Sequence, residues 1–80
     1  MTWWVYLLRC GDGSLYCGIA LDPEARLRLH QEGKGAKYTR GRGPLALVWK
    51  EACTSRAEAL RRERQLKRLR KSAKERFLTG

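Results

Sequence analysis

The chain has few acidic residues. Eight Asp and Glu stand against eighteen Lys and Arg in 80 residues, so the formal charge is +10 and the isoelectric point lies near 10.3. A surface this basic argues against small cationic or neutral substrates. It predicts a polyanionic partner such as DNA, RNA, a ribosome or an anionic membrane. The charge is also uneven: residues 1–40 carry six basic and four acidic side chains (net +2), and residues 41–80 carry twelve and four (net +8).

Histidine and cysteine are scarce, which argues against two kinds of stabilising site. Cys10, Cys17 and Cys53 are an odd number at wide spacing, whereas a disulfide framework needs paired cysteines in a secreted chain. No Cys-x-x-Cys pair occurs and His30 is the only histidine, so the ligands of a structural zinc site are missing. We expect three partly buried thiols in a reducing, cytoplasmic compartment.

Long apolar runs are missing as well. The first apolar stretch ends at Arg9 and no basic segment precedes it, so no signal peptide is predicted. No run approaches the roughly 18 residues of a membrane span. Since 42% of the residues are hydrophobic, we predict a single small domain over residues 1–80. A chain of this length buries about 60–65% of its unfolded surface, so its core is thin.

Three segments have the composition of β-strands. Thr2–Arg9 is rich in aromatic and β-branched residues and is apolar on both faces, which predicts a central strand covered on both sides. Gly11–Gly13 is a strong turn signal, and Leu15–Ala20 beyond it completes a hairpin. Leu45–Ala52 is the third predicted strand.

The first helix is predicted by the residues that begin and end it. Asp22 is suited to cap a helix whose first position is Pro23 and whose first turn carries the acidic Glu24. We expect this helix to run to about Glu32 and to stop at Gly33.

Two more helices follow the third strand. Thr54 or Ser55 caps a long helix through about Arg70, with Glu58 at the third helical position of a Ser55 capping box. Ser72 is expected to cap a short last helix that ends near residue 78. The predicted order is β-β-α-β-α-α, and the predicted fold is an α+β domain with helices packed on a three-stranded sheet.

The hairpin brings two tyrosines into a defined relation. A three-residue loop pairs Leu8 with Tyr16 and Tyr6 with Gly18, so the two phenols are diagonal neighbours on one face. Gly18 would then leave an open spot opposite Tyr6 for a ligand. A two-residue loop would put the phenols on opposite faces, and both tyrosines would serve equally well as ordinary packing residues.

The first helix carries Arg26 and His30, four residues apart and therefore on one face. A guanidinium beside an imidazole suits an anionic transition state, because Arg binds phosphate and His moves protons near neutral pH. The alternative is a solvated basic face with one surface histidine.

Glu63 is the most informative residue of the second helix. It lies in the apolar stripe that Ala59, Leu60, Leu66 and Leu69 define, on a segment otherwise dominated by basic residues. A carboxylate on an inward face needs a partner, because burying it alone is costly. The partner is either a cation, Arg26 or a helix neighbour, or a Mg²⁺ ion that takes Glu63 as one oxygen ligand.

A glycine-rich basic loop spans Gly33–Pro44. Its cations and its one aromatic residue suit contact with a nucleic-acid backbone and stacking on a base; they are Lys34, Lys37, Tyr38, Arg40 and Arg42. Arg62 and Lys67 in the second helix are further candidates for phosphate contact. The alternative is a solvated basic surface, and the glycines do not form a Walker loop.

Five segments in this order resemble the GIY-YIG nuclease superfamily, and within it the small single-domain bacterial members. Trp4-Val5-Tyr6 stands where the family has Gly-Ile-Tyr, and Tyr16-Cys17-Gly18 stands where it has Tyr-Ile-Gly. Arg26 matches the family's helical arginine, and Glu63 matches its metal-binding glutamate. The segment from Lys34 to Pro44 looks characteristic of the small members. The resemblance covers almost the whole chain.

The resemblance implies a three-stranded antiparallel sheet flanked by helices, and hydrolysis of a DNA phosphodiester with a single Mg²⁺ or Mn²⁺ ion. Tyr6 would help activate the attacking water, and Tyr16 would orient the water or the phosphate. Arg26 would stabilise the charged transition state, His30 would handle a proton, and Glu63 would hold the metal. Branched, flapped or damaged DNA is the expected substrate.

The chain departs from the family pattern at a few positions. Trp4, Val5 and Cys17 replace family residues, and the Asn that some family nucleases carry on the last helix has no counterpart, because the chain has no Asn. A second function therefore stays open: a nucleic-acid-binding module for RNA or the ribosome that keeps the fold without efficient cleavage. A membrane-surface function is disfavoured, because the helices cover a sheet.

Overall fold

The computed structural model describes the backbone of residues 1–79 and every side chain among them except those of residues 77 and 79. It contains three strands and three α-helices in the predicted order, with a short 3-10 turn before the last strand. These are β1 (Trp3–Arg9), β2 (Leu15–Ala20), α1 (Pro23–Gln31), the 3-10 turn (Lys37–Thr39), β3 (Ala46–Cys53), α2 (Arg56–Arg68) and α3 (Lys71–Thr79).

The sheet is antiparallel throughout, with β1 between β2 and β3. This confirms the prediction that the strand with two apolar faces is central. Val5 and Leu7 point to the face that α2 covers, whereas Tyr6 and Leu8 point to the face of α1. Because β1 has neighbours on both sides and helices on both faces, it carries four consecutive buried side chains, Val5 to Leu8, more than any other strand or helix among the described residues.

The hairpin has the register expected of a three-residue loop, and the two-residue alternative is wrong. Cys10 donates its N–H to the carbonyl oxygen of Ser14 at 2.9 Å, so the loop consists of the three residues between them. Tyr6 consequently pairs with Gly18, and Leu8 pairs with Tyr16. Both tyrosines therefore lie on the α1 face of the sheet.

The helix starts follow from their capping residues. Asp22 accepts the N–H of Ala25 at 3.2 Å, and Ser55 accepts the N–H of Glu58 at 3.1 Å. The predicted capping box is only half formed, because the carboxylate of Glu58 binds Thr54 instead of returning to Ser55. At the other end of α1, Gly33 adopts φ +76°, a left-handed conformation that ends the helix at little cost.

Several predicted boundaries need correction. The third strand begins at Ala46 and ends at Cys53, one residue later than predicted, and its pairing with β1 shifts between Leu7 and Leu8. The long helix ends at Arg68, and α3 begins at Lys71. Ser72 therefore lies inside the last helix and does not cap it.

The core has a layer on each side of the sheet. On the α2 side, buried residues of all three strands pack against Ala59 and Leu66, and on the α1 side Tyr6, Leu8 and Ala20 form a smaller cluster. The three cysteines are free thiols, as expected, and they are more deeply buried than the partial burial predicted. Among residues 1–79, no helix is long and apolar enough to cross a membrane.

A candidate active site at the edge of the sheet

The candidate site lies along β2, the edge strand between α1 and α2. Burial raises the pKa of the Tyr16 phenol, and two charges of opposite sign also act on it. The carboxylate of Glu63 raises this pKa further, and the guanidinium of Arg26 lowers it. Arg26 belongs to α1 and Glu63 belongs to α2, so Tyr16 interacts electrostatically with side chains of both helices. The edge strand is therefore where the two faces of the sheet can share one site.

A buried hydrogen bond joins β1 to α1 at this site. The hydroxyl of Tyr6 lies 3.0 Å from Nε2 of His30, and the two residues are only 1% and 2% exposed. The ring of Tyr16 lies 5.2 Å from the imidazole and 6.4 Å from the ring of Tyr6. The interpretation of His30 as a surface residue is therefore wrong, because the basic loop folds over it.

The surroundings of His30 determine where its proton lies. The backbone N–H of Ala36 donates to Nδ1 at 3.1 Å, so Nδ1 carries no proton. Thr39 lies 3.0 Å from the same nitrogen and donates its own hydroxyl proton to the carbonyl of Ala36. Burial and the nearby Arg26 lower the pKa of His30, which favours the neutral ring. The neutral imidazole therefore holds its proton on Nε2 and donates it to the hydroxyl oxygen of Tyr6.

Two glycines allow the tyrosine and histidine rings to approach so closely. A Cβ at Gly18 would stand 2.7 Å from the hydroxyl of Tyr6 and 3.0 Å from the ring of Tyr16. A Cβ at Gly35 would overlap the ring of His30. The predicted open spot opposite Tyr6 is therefore not free for a ligand, because the Tyr6 hydroxyl fills it.

Burial controls the acidity of Tyr6. Desolvation and the neighbouring Tyr16 raise its pKa to about 12, while a hydrogen bond and the positive charge of Arg26 act against that rise. Arg26 acts in the expected direction, but burial outweighs it. In the protein alone, Tyr6 is consequently a neutral phenol at neutral pH.

Glu63 is close to the site and partly covered. Its side chain is 17% exposed, and one carboxylate oxygen lies 3.5 Å from the ammonium of Lys67, one turn further along α2. The helix-neighbour ion pair left open by the sequence is therefore present.

The donor set limits what kind of metal site Glu63 could join. Within the described part of the chain, no three His, Cys, Asp or Glu side chains are grouped to hold an ion. A lone carboxylate fits Mg²⁺ or Mn²⁺, since such ions take one or two protein carboxylates and keep several waters. It does not fit zinc, which needs several nitrogen or sulfur ligands.

Part of the basic loop reaches the site. The ring of Tyr38, 43% exposed, lies 5.8 Å from the ring of Tyr16. The guanidinium of Arg42 stands 4.3 Å over the ring of Tyr38 and pairs with Asp12 of the hairpin turn. The hairpin turn therefore anchors the loop residue that stacks on Tyr38.

The other residues predicted to contact nucleic acid are spread over the loop and α2. Lys34, Lys37 and Arg40 are exposed on the loop. Arg62 binds Glu51 of β3 at 2.9 Å, which ties it to the sheet. Lys67 lines a groove beside Tyr16 together with Lys74 of α3.

Thr39, Gly35 and Lys74 were not predicted as part of this site. Thr39 and Gly35 belong to a loop whose fold over His30 has no periodic pattern in the sequence. Lys74 follows a break between two helices, and that break was predicted at a different residue. Only a basic residue in a basic segment could have suggested Lys74, and that signal does not single it out.

The comparison with known families gives a match over most of the chain. The GIY-YIG catalytic domain matches residues 2–76. Similar proteins include the UPF0213 protein of Pseudomonas aeruginosa strain PAO1, which is 53% identical over 78 residues covering 98% of this chain and 75% of the relative. The UPF0213 protein of Vibrio cholerae strain El Tor Inaba N16961 is 47% identical over 79 residues, which cover 98% of this chain and 78% of the relative.

Two solution NMR structures resemble this one. The UPF0213 protein of Bacillus halodurans is 47% identical with a TM-score of 0.63, and the alignment covers 99% of this chain and 84% of that one. A protein of E. faecalis is 38% identical with a TM-score of 0.66 and the same coverage.

Proposed function

We propose that this chain, which belongs to the family of GIY-YIG catalytic domains, is a divalent-metal-dependent endonuclease that hydrolyses DNA phosphodiester bonds. The observation that carries the proposal is the buried hydrogen bond between Tyr6 and His30. Arg26 and Tyr16 act on Tyr6 from nearby, and α2 brings the carboxylate of Glu63 close to Tyr16. Folding alone needs no such collection of polar groups. Phosphodiester hydrolysis uses each of them.

Tyr6 and His30 act on the attacking water. Nε2–H of His30 donates to the hydroxyl oxygen of Tyr6, and this hydrogen bond would stabilise the phenolate over the phenol. The phenolate takes a proton from water as the water oxygen bonds to phosphorus, and the bond between phosphorus and the leaving oxygen breaks. Since the pKa of Tyr6 is about 12 in the protein alone, this role requires added positive charge from the loaded site.

Arg26 and Tyr16 act on the phosphate. The guanidinium of Arg26 can donate two parallel hydrogen bonds to non-bridging oxygens, which gain negative charge as the bond to water forms. The hydroxyl of Tyr16 orients the phosphate or the water. Arg26 is exposed on α1, so a phosphate can reach it without displacing the core.

Glu63 would hold one Mg²⁺ or Mn²⁺ ion. Bound there, the ion would offset negative charge near the leaving oxygen and would lower the pKa of neighbouring acids. Lys67 shares the same carboxylate at 3.5 Å and would have to give way. We propose branched, flapped or damaged DNA as the substrate and the cytoplasm, where free thiols persist, as the location.

Cleavage of end-labelled single-stranded, duplex and branched DNA with Mg²⁺ or Mn²⁺ tests the proposal. We expect Arg26→Ala and Glu63→Gln each to lose activity about a hundredfold or more. The matched controls are Arg28→Ala, a second exposed cation of α1, and Glu24→Gln, a carboxylate on the exposed surface of α1; both should keep full activity. Undiminished cleavage by Glu63→Gln would refute the metal assignment.

Two observations favour a second candidate, a nucleic-acid-binding module for RNA or the ribosome. The pKa of Tyr6 is raised instead of lowered, and the Glu63 carboxylate is already paired with Lys67. Tight binding of DNA or RNA without cleavage under every metal condition would favour this module over the nuclease.

A further inference from the structure

Two grooves open at opposite ends of β2. The first, of about 320 Å³, is named the lysine groove and is lined by Leu15, Tyr16, Cys17, Tyr38, Lys67 and Lys74. The second, of about 400 Å³, is named the tryptophan groove and is lined chiefly by Trp3, Ile19, Ala20, Leu21, Arg26 and Arg56. Gly18 is the one residue of β2 between them, and it adjoins Tyr6 and Tyr16.

Both grooves follow the open edge of the sheet. Successive side chains of a strand point to opposite faces, so a groove lined by three consecutive residues must lie at the strand's edge. Leu15 to Cys17 line the first groove, and Ile19 and Ala20, with Leu21 just beyond the strand, line the second. β2 is an edge strand, hydrogen-bonded only to β1 in the described sheet. The grooves therefore border the same strand edge, one on each side of Gly18, and together they are named the track.

Helix α2 runs beside this track in the opposite direction. Arg56 at its start lines the tryptophan groove, and Lys67 near its end lines the lysine groove. These positions are eleven residues apart, a rise of about 16 Å along the helix, and the six residues of β2 span about 16 Å. Glu63 lies between these positions and nearer the lysine groove, since it pairs with Lys67 and its charge acts on Tyr16 and Cys17.

Each groove holds an aromatic ring with a cation over it. In the lysine groove the ring is Tyr38, with Arg42 at 4.3 Å. In the tryptophan groove it is Trp3, with Arg56 at 5.9 Å. Basic grooves with aromatic rings are typical of sites that bind single strands, because an unpaired base can stack on a ring while the cations hold its phosphates. A duplex keeps its base faces covered and cannot use these rings.

The acidic group of the second groove does not oppose this arrangement. Asp22 lines the tryptophan groove, but its carboxylate accepts the N–H of Ala25 at the start of α1. A phosphate backbone would pass on the side of Arg26 and Arg56, whose two positive charges outnumber the one negative charge of Asp22.

We infer that the β2 edge binds an unpaired DNA strand, with one base against Tyr38 in the lysine groove and another against Trp3 in the tryptophan groove. The phosphate between them passes along the strand edge beside Tyr16, within reach of Arg26. The last point rests on the proposed function, and binding of the single strand does not.

Fluorescence anisotropy with the full chain in EDTA tests this inference without any cleavage. The probes are a short fluorescein-labelled single strand and the duplex of the same sequence at the same salt concentration. We expect the single strand to bind more tightly than the duplex. Tyr38→Ala should weaken single-strand binding about tenfold and leave duplex binding unchanged, whereas Tyr38→Phe keeps the ring and should bind like the wild type.

Matched variants separate stacking and charge from general damage. Trp3→Ala is compared with Trp4→Ala, because Trp4 also carries a cation, Lys50 at 4.7 Å, but lines neither groove. The double variant Lys67→Gln/Lys74→Gln is compared with a double variant of equal charge in exposed α2 residues, Arg61→Gln/Arg64→Gln. In each pair we expect only the groove variant to lose single-strand affinity beyond the loss of its control.

Two results would overturn the inference: a duplex that binds as tightly as the single strand, or a Tyr38→Ala variant that binds the single strand as well as Tyr38→Phe. Single-strand binding that follows these expectations without any metal-dependent cleavage would leave the track in place and refute the nuclease. Metal-dependent cleavage without a preference for the single strand would support the nuclease and refute the track.

Discussion

The hydroxyl of Tyr6 accepts a hydrogen bond from Nε2 of His30 at 3.0 Å, and both residues are buried. The bond links the central strand to α1. Its direction is determined from the other side of the imidazole, where the backbone N–H of Ala36 donates to Nδ1. The basic loop therefore controls the proton that faces Tyr6, so the loop has a role in the site beyond its charge.

Removing the Tyr6 hydroxyl should destabilise the fold. In Tyr6→Phe the buried N–H of His30 loses its acceptor, and a buried donor without a partner costs about 1–3 kcal/mol. Urea denaturation measures this loss. Tyr38→Phe is the control, because its exposed phenol should change the free energy of unfolding by less than about 0.5 kcal/mol. Equal stabilities of the two variants would contradict the bond.

His30 should make stability fall in mild acid. Burial lowers its folded pKa below the ordinary 6.5, so the unfolded chain binds the proton first. The free energy of unfolding should be constant just above pH 6.5 and should fall as the pH drops below it, by at most about 1.4 kcal/mol per pH unit.

His30 is the only histidine, so this slope between pH 6.5 and 5 can be assigned to one residue. The measurement is urea denaturation at a series of pH values. His30→Gln should be less stable but should show no slope in that interval. A slope that survives in His30→Gln would assign the effect to carboxylates instead.

Tyr6 should ionise late in an alkaline titration. Its pKa of about 12 means that its tyrosinate absorbance near 295 nm develops well above pH 10, without divalent cations. Because the phenol has a pKa near 10 in the unfolded chain, the free energy of unfolding should be constant below pH 10 and should decrease between pH 10 and 12. In Tyr6→Phe, the alkaline titration should lack the absorbance change that occurs at the highest pH. Loss of an absorbance change at lower pH would contradict the assignment.

The hairpin could be predicted because it depends on local chemistry, whereas its register depended on the length of the loop. The structure has the three-residue loop, and the alternation of side chains along β1 then decides which residues meet. The face shared by Tyr6 and Tyr16 follows directly from that register. The start of α1 was equally local, because Asp22 and Pro23 act within one turn.

The parts that could not be predicted depend on contacts between distant segments. Whether the pKa of Tyr6 rises or falls depends on how deeply α1 and the loop bury it, which no sequence pattern reports. The position of Thr39 depends on a loop that folds around His30. The end of α2 was predicted two residues late, since Leu69 continues its apolar stripe but packs on the core from outside the helix.

Gly35 should not tolerate a side chain. A methyl group there would overlap the buried ring of His30, which is held on both nitrogens and has no room to retreat. We expect Gly35→Ala to lose about 1–3 kcal/mol of stability and to weaken cleavage through the displaced imidazole. Gly43→Ala is the control, since no atom lies within 4 Å of a Cβ at Gly43. Thermal melting of both variants decides the matter, and equal melting temperatures would refute the close approach.

Lys67 should compete with a divalent cation for the carboxylate of Glu63. The two side chains are 3.5 Å apart and partly exposed, and such pairs contribute roughly 0.2–1 kcal/mol. In Lys67→Gln, the affinity of the DNA-free protein for Mn²⁺ should therefore rise about two- to fivefold, as measured by the loss of the free-ion signal in electron paramagnetic resonance. Glu63→Gln should abolish this binding. Arg64→Gln removes a neighbouring exposed cation from the same helix, and if it raised the affinity as much as Lys67→Gln does, the effect would come from net charge and not from this ion pair.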